Sequence, residues 1–138
     1  MSTSTTLQKK SFIQILQAAG MAYAAAAVGN LLIYFIGSAL GAFPADVITP
    51  AGEPITFLPV VMATTAGVVM ALVGYLVLSR FLAPERINRI FTILLGVIIL
   101  ASFVTPFGIQ GAPVLMIVLL NLMHVVLGLA IWQFMGRK

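Results

Sequence analysis

Between Ile90 and Gly136 the chain carries no Asp, Glu, Lys or Arg for 47 consecutive residues. An α-helix rises ~1.5 Å per residue, so ~20 apolar residues cross the hydrocarbon core of a bilayer, and this run is about twice that long. It has to turn back. Pro106, Gly108, Gly111 and Pro113 cluster in its middle, where proline and glycine interrupt helical hydrogen bonding most readily. The run therefore divides into helices over about 89–105 and 113–134, joined by a turn at 105–112. Pro113 suits a first helical turn, where its missing N–H has no partner to lose.

Two further uncharged stretches are long enough to span, one over about 13–40 and one over about 57–79. Only 7% of the 138 residues are charged and 62% are hydrophobic, against about 25% charged in a soluble domain. A mean hydropathy of +1.17 fits a chain whose solvent is lipid, because a water-soluble core of this length cannot hide so much apolar surface. The expected fold is a single all-α domain over 11–138, a bundle of four transmembrane helices. With no cysteine in the chain, disulfides, thiolate nucleophiles and Cys-ligated zinc are excluded.

Charge placement gives an independent count. With four spans, all seven cations fall on one side: Lys9 and Lys10 before the first helix, Arg80, Arg86 and Arg89 between the second and third, Arg137 and Lys138 at the end. Asp46 and Glu53 fall on the other. The positive-inside rule then places both termini in the cytoplasm, and the expected location is a bacterial plasma (inner) membrane. The net charge of +4 reads as orientation and contact with anionic headgroups, not as nucleic-acid binding. A cleavable signal peptide ending near Ala22-Tyr23-Ala24 is the rival for the N-terminus, but the apolar stretch continues well past it. Residues 1–10, opening with MSTSTTLQ, are expected to be a disordered cytoplasmic N-terminus. In the outer loop, Val47-Ile48-Thr49 and Pro54-Ile55-Thr56-Phe57 flank a Pro/Gly turn, which predicts a short β-hairpin.

Several short pieces carry a resemblance: Gly29-Asn30-Leu31-Leu32, Phe57-Leu58-Pro59-Val60, Arg89-Ile90-Phe91-Thr92, Ser102 with Pro106, and Leu122-Met123-His124. In these the chain resembles a family of small bacterial four-helix integral membrane proteins catalogued only as a domain of unknown function. The resemblance implies the fold and topology, and no activity comes with it.

Polar groups within spans are costly and tend to face a bundle interior or a cavity. His124 is the one ionisable side chain within a span, near the bilayer midplane by residue counting. Asn121 and Gly128 share its helical face. Asn30, Thr64, Thr65, Ser102 and Thr105 fall between the midplane and the outer surface. The functional reading is an outward-opening polar pocket of His124, Asn121, Asn30, Thr64 and Ser102 that binds or transports a small ligand, lipid or pigment. The plainer reading makes these residues interhelical hydrogen-bond glue. A haem bound through His124 with Met116, Met123, Met62 or Met70 has little support, since methionine in a helix is usually a gap filler. No cofactor is assigned. Small multidrug transporters also have four helices, but they need an intramembrane glutamate and none lies within a span here.

Gly37 and Gly41 form a GxxxG pattern, and Gly128 adds a second small site; small residues let helix backbones approach closely. One imidazole without an acid, a thiol or a second histidine makes no catalytic set, so the chain is expected not to be an enzyme. The leading expectation is a structural or accessory subunit acting through helix packing in a homo-oligomer or a larger membrane complex.

Overall fold

A computed structural model describes residues 9–137. Residues 1–8, the bulk of the stretch read as disordered, and Lys138 lie outside the described residues. Four helices form: α1 (Phe12–Ala39), α2 (Phe57–Phe81), α3 (Pro84–Ser102) and α4 (Val114–Ile131). A 3-10 turn at Thr105–Gly108 precedes α4, and a π-helical turn at Trp132–Gly136 extends it. All four are long and apolar enough to cross a membrane once these turns are counted with α3 and α4. The protein is therefore a multi-pass membrane protein with the bilayer as its surroundings.

Local chemistry sets the helix ends. Ser11 accepts from the Gln14 N–H at 3.3 Å while its own N–H donates to Gln14 Oε1 at 2.9 Å, a reciprocal cap that satisfies two otherwise unpaired donors. At the other end of α1, Gly41 has φ +72°, and the N–H groups of Gly41 and Ala42 return to the carbonyls of Ser38 and Gly37 at 3.0 and 2.8 Å. That is a Schellman ending, which favours glycine at the left-handed position. α3 begins at Pro84, five residues before the expected start at Arg89, with proline in its first turn and Glu85 beside the positive end of the helix dipole.

The hairpin expected between α1 and α2 does not form, and no strand occurs among the described residues. Ile48 and Pro54 make one isolated antiparallel bridge. The Thr49 N–H and hydroxyl both donate to the Glu53 carbonyl, at 2.9 and 2.8 Å. Proline at 50 and 54 has no N–H to extend a ladder. The connection packs as irregular chain instead, with Val47 and Ile55 buried in a cluster with Val60, Ile109, Met116 and Met123.

The helices run up and down. α1 is antiparallel to α4, because Gly29 lies against Val126 and Gly37 against Leu119. α3 is antiparallel to α4, as Gly128 faces Ile99 and Gly136 faces Thr92. α1 sits between α2 and α4 on a ridge of small residues at i, i+4 spacing: Ala18, Ala22, Ala26, then Asn30, all buried. Ala22 and Ala26 are completely inaccessible, which lets the backbones approach closely.

One cluster joins all four helices at the end where α1 begins and the π-helical turn after α4 stops. Lys10 Nζ donates to the carbonyls of Met135 and Arg137 at 3.2 and 3.3 Å and lies 5.5 Å from the centre of the Tyr75 ring. The Tyr75 hydroxyl donates to Asn88 Oδ1 at 2.9 Å. A cation on the last carbonyls of a helix is favourably placed against the dipole, although partial burial lowers the Lys10 pKa from the usual lysine value. Lys10→Met is expected to cost about 1 kcal/mol of stability, measured by unfolding in detergent. A stability equal to wild type would show that the clamp contributes nothing.

Candidate functional site

A cavity of about 200 Å³ lies between α1, α2 and α4, beneath the α1–α2 connection. Asn30, Thr64 and His124 line it with Thr49, Pro59 and Met123. At ~30 Å³ per water in the liquid, it is roomy enough for several waters or a small ligand.

Hydrogen bonding fixes what these side chains offer. The Thr64 hydroxyl donates to the Val60 carbonyl at 2.8 Å, so its single proton is used and its oxygen can only accept. The group facing it at 2.9 Å is accordingly Asn30 Nδ2. This leaves Asn30 Oδ1 buried with no partner, on a residue only 4% exposed. The same logic applies to His124, whose Nδ1 lies 2.8 Å from the Leu120 carbonyl. A carbonyl only accepts, so Nδ1 carries the proton and Nε2 of the neutral ring is an acceptor. Nε2 has no protein partner among the described residues. The imidazole nitrogen is thus an acceptor without a protein partner on a residue that lines a cavity otherwise made mainly of carbon, while Asn30 Oδ1 is enclosed in the wall.

A second, larger cavity of about 470 Å³ lies between α2, α3 and α4. Its walls include the exposed side chains of Met70, Val77, Leu94 and Ile98, so it opens sideways at the surface that faces lipid. Ala63, His124 and Leu127 line both cavities, so His124 borders each of them.

Of the residues singled out in the sequence, Asn30, Thr64 and His124 come together in the first cavity. Ser102 joins His124 only in the second, and its hydroxyl proton goes to the Ile99 carbonyl at 2.7 Å. Asn121 lines neither, and its Oδ1 is buried without a partner. Thr65 and Thr105 are exposed and bond their own helical turns, at 2.8 and 2.7 Å. Among the glycines, a Cβ on Gly37 would meet Leu119 at 2.5 Å and one on Gly128 would meet Ile99 at 2.8 Å, whereas Gly41 meets nothing within 4 Å. Gly37 and Gly128 are thus close-approach sites within the chain, and Gly41 ends a helix. Sequence reasoning did not identify the Lys10 clamp; the Ser-x-x-Gln pattern directly after Lys10 is the signal that fixes where α1 begins and so where that lysine points.

The fold and its cavities define a four-helix membrane protein with a small, mainly apolar cavity beside a lipid-facing groove. Comparison with family models then places it: the chain belongs to the Family of unknown function (DUF6069), matched over residues 12–138, in keeping with the resemblance carried by the short pieces above. A comparison with curated proteins and one with solved structures each returned no match.

Proposed function

We propose that the protein binds a small, neutral hydrogen-bond donor in the cavity lined by Asn30, Thr64 and His124. The carrying observation is His124, which lines the cavity with Nδ1 bonded to the Leu120 carbonyl and Nε2 left as an acceptor without a protein partner. Leaving a buried acceptor unpaired costs about 1–3 kcal/mol, and a ligand N–H or O–H would recover that. The cavity residues carry no Asp or Glu to hold a cation and no Lys or Arg to balance an anion. One imidazole among amides and hydroxyls supports binding, not catalysis.

The reading includes an orientation with both chain ends at the cytoplasmic face of a bacterial plasma membrane. Its support is the gathering of Lys9, Lys10, Arg80, Arg86, Arg89 and Arg137 toward the end closed by the Lys10 clamp, with Asp46 and Glu53 in the α1–α2 connection. The cavity then lies in the outer half of the bilayer. A second reading, an accessory subunit in a homo-oligomer or a larger complex, draws support from Gly20 and Gly96, where an added Cβ would meet nothing within 4 Å.

Purification in mild detergent followed by mass spectrometry tests both. The expected spectrum holds a small molecule with wild type that falls by about tenfold or more with His124→Ala, as fits the loss of one hydrogen bond from a buried site. Equal occupancy in the variant, or no small molecule with either, would defeat the ligand reading. The same spectrum counts copies and partner chains.

A further inference from the structure

We infer that the ligand is a single-chain amphiphile with a hydroxyl head, its head at His124 and its tail in the groove between α2 and α3. This rests on the ligand-binding reading above and names the class of ligand. His124, Ala63 and Leu127 belong to both cavities, so a molecule seated in the groove lies against the same imidazole that lines the small chamber.

The groove matches a hydrocarbon chain in surface, access and length. Apart from Ser102 and His124 it is lined by carbon side chains and glycine, and it opens where the exposed Met70, Val77, Leu94 and Ile98 meet lipid. Along α3 its lining runs from Ser102 to Phe91, a rise of about 16 Å. That is about half of the ~30 Å hydrocarbon core, the depth of one leaflet. The tail therefore enters from the bilayer side without crossing water.

The head is set by what the groove's polar end lacks. The Ser102 hydroxyl donates to the Ile99 carbonyl and His124 Nδ1 to the Leu120 carbonyl. What these two groups still offer is acceptors. Neither lining holds a Lys or Arg for a carboxylate or phosphate head, or a carboxylate for an ammonium head. A hydroxyl donates without bringing charge into the membrane.

Gly74 makes the tail site testable without disturbing the bundle. It lines the groove, and a Cβ built there meets nothing within 4 Å, so a leucine fills the groove and leaves the packing alone. The full chain is reconstituted in phosphatidylcholine vesicles with dodecanol carrying a diazirine in its tail, and with the corresponding methyl ether. Dodecanol is expected to label the facing stretches of α2 and α3, the ether about tenfold less for want of one donated hydrogen bond, and Gly74→Leu is expected to abolish the labelling. Butanol, too short for the groove, should still shift the ring signals of His124 in that variant. Equal labelling by alcohol and ether, or undiminished labelling of Gly74→Leu, overturns the assignment of head or tail and leaves the small cavity standing. If butanol leaves His124 unmoved in wild type as well, the ligand-binding reading falls and this inference with it.

Discussion

Ala22→Leu should destabilise the bundle by about 3 kcal/mol, the upper part of the usual range for overpacking a filled core. Ala22 has no accessible surface and sits in a cluster with Val68 of α2 and Ile131 of α4. Leucine adds three carbons where side chains of α2 and α4 already fill the space, and neither neighbour can withdraw without breaking further contacts. Ala25, three residues on and exposed, points to lipid and provides the control. Unfolding of the two leucine variants in mixed detergent micelles should separate them clearly, with Ala25→Leu close to wild type. Equal stabilities would mean that the alanine ridge of α1 is not the packing seam.

Asn30→Leu should act in the opposite sense. Asparagine and leucine branch at the same carbon, so the substitution removes the orphaned Oδ1 with little change of shape. Thr64 keeps its bond to Val60 at 2.8 Å. Relief of one unpaired buried acceptor is expected to raise the stability of the ligand-free protein by about 1–2 kcal/mol, while ligand occupancy falls. Gain of stability with loss of binding is the mark of a group kept for function. Were Asn30 only interhelical glue, the variant would instead lose a fraction of a kcal/mol, about 0.6 on average for such bonds in membranes. The sign of the change decides between the two roles.

Apolar run length and the Pro/Gly break at 105–112 are local signals, which is why four spans were legible in the sequence. The start of α3 was not. Glu85 and Arg86 read as a loop, yet a helix end at the membrane surface carries charges readily, and Pro84 with Glu85 is itself a first-turn pattern. The hairpin was misread because Val47, Ile48, Ile55 and Thr56 favour strands, while the prolines at 50 and 54 withhold the donors that a ladder needs.

Within the candidate site, depth was legible and direction was not. Residue counting brought Asn30, Thr64 and His124 to similar levels, but α4 is apolar on nearly every face, so no stripe marks its inner side. Asn121 and His124, three residues apart, were placed on one face, and only His124 lines the cavities. The acceptor character of the pocket depends on which carbonyl takes each proton, and the Lys10 clamp joins residues 125 apart in sequence. Both arise from tertiary packing, beyond the reach of any local pattern.

The central claim is that His124 holds an unprotonated Nε2 ready for a ligand donor, and His124 is the chain's single histidine. Nitrogen NMR of that one imidazole, in vesicles at neutral pH with and without dodecanol, tests it directly. The account predicts a neutral ring protonated at Nδ1, with an Nε2 signal that moves toward a hydrogen-bonded position when the alcohol is added. A ring protonated at Nε2, or an Nε2 signal indifferent to the alcohol, would contradict it.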